Sequence, residues 1–155
     1  MILLLDSGVL GKICNPNPSD EANAVKKWMY SLLAKGVVIV TSQICDYEIR
    51  RSLILNSIRG LSSQGIDNLA QLEKIIDFLP VNETILKTAF QIWAEVRSKG
   101  MSTADEKSLD ADVIICAQWQ LLSEEYPGRQ VVIATTNVKH LSRFAQAKTW
   151  QDIIF

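Results

Sequence analysis

Three acids and one amide stand out by their settings: Asp6, Glu48, Asp112 and Asn137. Asp6 closes the apolar run Ile2–Leu5 and is followed by Ser7 and Gly8. A short apolar run ended by a turn signal reads as a buried strand of a parallel sheet. Its acid then lies at the carboxyl end, where sites form in open α/β sheets. Asn137 stands just past a second such run, Val131–Ala134, which ends in Thr135 and Thr136. Glu48 falls early in a helix after the apolar run 37–40. Its neighbours at helical spacing include Ile44, Cys45 and Leu55, which places it at the border of the apolar stripe. An ion pair with Arg51 at i+3 is the alternative. Asp112 opens an almost wholly apolar helix, so it points into a protected place. Asp110, two residues earlier, reads as an N-cap or as an acid suited to the helix dipole.

Carboxylates forced together repel unless a cation neutralises them. Hard oxygen donors without histidine or cysteine favour Mg2+ or Mn2+. Such ions suit phosphodiester hydrolysis, by activating water and stabilising the attacking and leaving oxygens.

The elements that must position these residues follow in chain order. Residues 15–18, Asn-Pro-Asn-Pro, are loop chemistry, because a residue before proline is pushed out of the helical region. Ser19 or Asp20 caps a helix over 21–35, with Ala24, Val25, Trp28, Met29, Leu32 and Leu33 on one face and Gly36 as its stop. Residues 37–40 read as the second strand. Thr41 and Ser42 cap a helix reaching about residue 59. Helices are predicted over 66–78, ended by Pro80, and over 82–99. The polar segment 100–107 is expected to be mobile. A helix over 108–125, a strand over 131–134 and a short helix near Asn137 follow, and the tail, 148–155, is expected to pack on the surface. Strand, helices, strand, helices, strand is an α/β layout with parallel strands. Right-handed crossovers bring strand ends and helix starts to one rim, where the four residues can face a common point.

Composition sets outer limits. A chain of 155 residues with 48% hydrophobic residues forms one domain with a full core. No apolar run approaches membrane-spanning length, and the N-terminus lacks the pattern of a signal peptide. Three cysteines without CxxC spacing argue against a disulfide framework and fit a reducing, cytoplasmic setting. One histidine, His140, makes a Cys/His zinc site a poor fit. A formal charge of −1 does not announce nucleic-acid binding, although a local basic patch is still allowed.

With these residues in place, the sequence resembles the PIN-domain ribonucleases, and within them the VapC-type toxins of prokaryotic toxin–antitoxin pairs. The matching elements are Leu-Leu-Leu-Asp6-Ser7-Gly-Val-Leu, Glu48 after the second strand, Asp112-Val-Ile-Ile-Cys-Ala, and Thr135-Thr-Asn137-Val-Lys-His. Their order and spacing fit along nearly the whole chain. The resemblance implies a PIN-like three-layer α/β/α sandwich with a central, mainly parallel sheet. It implies that Asp6, Glu48 and Asp112 hold Mg2+ or Mn2+. Asn137 takes the fourth position, an aspartate in many relatives, which removes one negative charge. Ser7, Asp110 and Thr135 are auxiliary candidates. The implied activity is endoribonuclease cleavage, with homodimerisation and inhibition by a small antitoxin. Arg50, Arg51, Lys139, His140 and Arg143 flank the motifs and are candidate RNA phosphate contacts. The apolar groove an antitoxin needs could come from the helix bearing Trp28 and Met29, or from the helix over 44–58.

Other classes fit less well. A haloacid-dehalogenase-type phosphatase needs a second aspartate two residues after the first, and position 8 is Gly8. A dinucleotide-binding domain needs GxGxxG after the first strand, which Gly8 and Gly11 do not supply. A non-catalytic PIN-like module that binds RNA or protein is the remaining alternative.

Overall fold

The computed structural model describes residues 1–17, 19–100 and 106–154. Its centre is β1 (Ile2–Leu5), in which Leu3, Leu4 and Leu5 are fully buried. Burying a leucine is worth about 1.5–3 kcal/mol, so this strand anchors the core. It pairs in parallel with β2 (Val38–Ser42) on one side and β4 (Val131–Ala134) on the other. β3 (Asp77–Leu79) extends the sheet beyond β2, and β5 (Ala147–Lys148) extends it beyond β4. The order is β3-β2-β1-β4-β5, with every pairing parallel.

Register explains the common rim. Leu5 is level with Thr41 on one side and Ala134 on the other. Asp6 and Thr135, each one residue further on, therefore leave the sheet side by side. The connections run outward in opposite directions from β1 and β4, so this is a topological switch point.

Helices flank the sheet. α1 (Ser7–Cys14) contacts α2 (Asp20–Ala34), α3 (Gln43–Ile58) and α4 (Gln64–Leu72). α5 (Glu83–Ser98) lies along α6 (Glu106–Glu125), with Ile85 and Ala89 against Val113 and Ala117. α7 (Val138–Leu141) follows β4 directly. Caps match the sequence where it offered them: Ser19 accepts from the Ala22 amide at 3.1 Å and Ser42 from Ile44 at 3.1 Å; Asn82, not named as a cap from the sequence, accepts from Ile85 at 3.0 Å.

Several expectations change. Residues after Asp6 form α1, a helix the sequence reading did not assign; Asp6 is its N-cap, and Gly8 and Gly11 had masked its period. The helix predicted over 66–78 stops at Leu72, and Asp77–Leu79 becomes an edge strand. Its apolar run fits either period, and Pro80 can close either element. The tail is not simply surface packing, since Ala147–Lys148 joins the sheet and Trp150 packs on Trp28 with ring centroids 5.9 Å apart. α6 starts at Glu106, so Asp110 is not its N-cap but a residue of the second turn. The mobility expected over 100–107 falls mostly outside the described residues. Among the described residues no helix is long and apolar enough to cross a membrane.

Candidate active site

Asp6 is the most tightly held of the acids. Its amide donates to the Ala134 carbonyl at 3.0 Å, which carries the β1–β4 pairing one step past the strand. As N-cap of α1, its Oδ1 accepts from the Ser7 amide at 2.7 Å, with the Ser7 hydroxyl at 3.4 Å. Its Oδ2 accepts from the Thr135 hydroxyl at 2.6 Å. The Thr135 oxygen in turn accepts from the Asn137 amide at 2.9 Å. Thr135 is fully buried, so this relay is fixed between the ends of β1 and β4. Gly8 makes the close approach possible: a Cβ there would lie 2.2 Å from the Thr136 hydroxyl oxygen.

Glu48 sits half-buried in the second turn of α3. The alternative ion pair with Arg51 is not formed; Arg51 lies over the Tyr47 ring, 5.1 Å from its centroid. Asp112 is also half-buried, on α6. Its carboxyl is pushed up to about 7, first by burial and then by the charges of Asp6 and Glu48. Three acids from the end of β1, from α3 and from α6 thus bear on one another electrostatically. Asp110 is exposed. Residues two apart on a helix do not share a face, so it does not join Asp112.

The amide and the cations divide. Asn137 is exposed, precedes α7 and makes no side-chain cap bond. His140, on α7, brings Nδ1 to 3.8 Å from Asp112 Oδ2. Arg50 is committed elsewhere, to Asp46 at 2.8 Å and Glu73 at 2.6 Å, so it is not poised for phosphate. Lys139 and Arg143 are exposed, and Arg143 lines a small cavity with Ile92, Glu95, Val96 and Phe144.

Two buried thiols, Cys45 and Cys116, complete the surroundings. Burial raises Cys45 well above its ordinary range, helped by the charges of Asp6 and Glu48. Burial pushes Cys116 up to about 12, helped by Asp112 and Asp6. Both therefore stay protonated, as apolar packing rather than nucleophiles. Their signal in the sequence was position, three residues before Glu48 and four after Asp112.

The donor set is three hard carboxylate oxygen groups, with the charges of Asp6 and Glu48 bearing on Asp112. That chemistry fits Mg2+ or Mn2+. The geometry is open: among the described residues no three His, Cys, Asp or Glu side chains are gathered closely enough to hold an ion as they stand. A cavity of about 580 Å3 lies elsewhere, against Leu79, Pro80, Ile85 and Gln118, and none of the site acids lines it. The chemistry is therefore located by the acids and not by cavity size.

No family model and no curated protein matches the chain by sequence. Solved structures do match by shape. A chain of FitAcB from Neisseria gonorrhoeae is 20% identical, with a TM-score of 0.68 over 97% of this chain and 99% of that one. A chain of VapBC-1 from nontypeable Haemophilus influenzae is 19% identical, with a TM-score of 0.65 over 98% and 100%. A chain of VapBC2 from Rickettsia felis, solved bound to a promoter DNA fragment, is 17% identical, with a TM-score of 0.63 over 97% and 99%. The fold expected from the sequence resemblance is the fold observed: a PIN-like α/β sandwich on an all-parallel sheet.

Proposed function

We propose that this chain is a metal-dependent endoribonuclease, the toxin of a toxin–antitoxin pair. The observation that carries the proposal is the half-buried Asp112 carboxyl, pushed up to about 7 first by burial and then by the charges of Asp6 and Glu48. Such a cluster costs stability in the bare protein and is relieved by a cation. Asp6, Glu48 and Asp112 would hold Mg2+ or Mn2+. The ion would supply an activated water and charge stabilisation at the phosphodiester.

This chain's residues do the positioning. Thr135 and the Ser7 amide aim the Asp6 carboxylate. Lys139 and Arg143 offer cations to RNA phosphates, and Arg51 is held over Tyr47 on α3. The thiols of Cys45 and Cys116 fill the space behind the acids without adding charge.

A protein partner is supported by α3. Tyr47, Ile54, Leu55 and Ile58 are exposed at helical spacing, and Leu61 continues them. By contrast Met29 is fully buried and Trp28 packs on Trp150, so α2 offers no comparable groove. The VapBC and FitAB complexes among the structural neighbours support an antitoxin as that partner. Homodimerisation and a cytoplasmic location belong to the same proposal.

The test is RNA cleavage with Mg2+ or Mn2+, with and without EDTA, for wild type and Asp6→Asn. Cleavage should require metal and be lost in the variant. Cleavage that persists in EDTA or in Asp6→Asn overturns the mechanism. RNA binding by both proteins with no cleavage by either establishes the binding-module alternative instead.

A further inference from the structure

We infer that the cavity between β3, α5 and the second half of α6 is a binding site for a small organic cation. Its ligand has an apolar body with an N–H donor at one end and an ammonium at the other. The site lies apart from the acids and does not rest on the metal-dependent reading.

The cavity holds about 580 Å3, within the range of small-molecule sites. One wall is a single face of α6. Gln118, Leu121, Leu122 and Glu125 line it at helical spacing, so they stack along two turns. At about 1.5 Å per residue, Gln118 and Glu125 stand about 10 Å apart along the helix axis. Leu79, Pro80 and Ile85 supply the facing wall. The α6 face thus runs from a polar acceptor, over two leucines, to an acid.

Gln118 defines the inner end. It is 1% exposed, and its Nε2 donates to the Leu79 and Pro80 carbonyls, each at 3.2 Å. Two carbonyl acceptors on one side fix which end of the amide is the nitrogen. Gln118 Oε1 is then the other end; it is buried and has no hydrogen-bond partner among the described residues. A buried acceptor without a donor is costly. The cavity that Gln118 lines is the space from which a donor can come.

Glu124 and Glu125 define the outer end. Both are exposed, and no lysine or arginine lines the cavity with them. Glu124 accepts from Gln120 Nε2 at 3.0 Å, a neutral donor that leaves its charge in place. The mouth therefore favours a cation over an anion, while the leucines between the two ends favour an apolar body.

The experiment uses the full chain and tryptamine as the probe. Tryptamine joins an indole N–H to an ammonium, and with its two hydrogen bonds its length matches the span from Gln118 to Glu125. Two close analogues separate the contributions: 1-methyltryptamine lacks the N–H, and indole-3-propionate carries a carboxylate in place of the ammonium. Binding is read by titration calorimetry and by 1H–15N spectra of the side-chain amides. Wild type should bind tryptamine saturably at low-millimolar concentration or below, with a shift of the Gln118 side-chain amide. It should bind 1-methyltryptamine about fivefold more weakly, the scale of one hydrogen bond, and indole-3-propionate not at all. Glu125→Gln, at an exposed position, should weaken tryptamine about threefold. Gln118→Met identifies the amide signal and should remove the difference between tryptamine and its 1-methyl analogue. No saturable binding of tryptamine overturns the proposal and leaves water as the partner of Gln118 Oε1. Equal binding of tryptamine and indole-3-propionate, or shifts confined to residues outside the cavity, also overturns it. The ligand comparison on wild type decides the matter even if Gln118→Met folds poorly.

Discussion

The Thr135 hydroxyl donates to the Asp6 carboxylate at 2.6 Å, joining the ends of two adjacent parallel strands. A residue from β4 thereby decides which way the acid at the end of β1 points. Thr135→Val keeps the shape and removes the donor. It should cost about 1.5–3 kcal/mol in urea denaturation, the usual scale for a hydrogen bond to a charged group. RNA cleavage should fall at least tenfold, and Thr135→Ser should restore most of it. A Thr135→Val variant as active as wild type would show that Asp6 needs no such support.

The pH dependence follows from Asp112, whose carboxyl rises from its ordinary 3.8 to about 7 in the folded chain. Folding then favours the protonated form. That contribution to stability is fully present below pH 3.8 and is lost as pH rises through 7. In EDTA, Tm should therefore gain from this group as pH drops from 8 to 5, and Asp112→Asn should flatten the trend. Function runs the opposite way, because only the ionised carboxylate can hold the cation. Cleavage at pH 5 should be up to about 100-fold below that at pH 8, at limiting metal. Saturating Mn2+ should raise Tm most at pH 8, reversing the sign of the wild-type trend. Equal Tm shifts at pH 5 and pH 8 would contradict this.

Gly8 tests the packing behind the site. Its hydrogen faces Thr136, where a methyl group would sit 2.2 Å from the hydroxyl oxygen. Gly8→Ala should destabilise by about 1–3 kcal/mol, the range for an overpacked contact. The double variant Gly8→Ala/Thr136→Ala should recover part of that loss, giving a coupling energy in a double-mutant cycle. Strict additivity would mean that the helix simply shifts to make room.

Ile58 tests the partner surface. At 78% exposure it contributes little to folding. Ile58→Glu should change stability by less than about 0.5 kcal/mol and leave RNA cleavage intact. It should weaken association with a partner, or self-association, in light scattering and pull-down with a co-expressed antitoxin. Unchanged assembly would move the interface off α3.

The central strands were legible because a parallel sheet buried on both faces reads as unbroken apolar runs, as at Ile2–Leu5 and Val131–Ala134. α2 and α3 were legible from their period and caps, and α5 from its period. α1 was hidden because its cap, Asp6, was read as a strand end and two glycines interrupt its pattern. β3 and β5 were hidden because two or three residues carry no period; each exists only because a neighbouring strand offers it hydrogen bonds. At the site, residue type and position pointed to Asp6, Glu48 and Asp112, whereas the Thr135–Asp6 bond depends on strand register. Arg50 shows the converse: flanking a motif in sequence put it near the site, but Asp46 and Glu73 claim its guanidinium.

β1 is paired along its whole length on both sides. Its amides can exchange with solvent only when the whole sheet comes apart, so Asp6 is tied to the slowest-opening part of the molecule. Glu48 and Asp112 ride on helices, which can slide and tilt without breaking the sheet. Any tightening of the acids around a cation is thus a one-sided motion: α3 and α6 travel, and Asp6 is the fixed jaw against which they close.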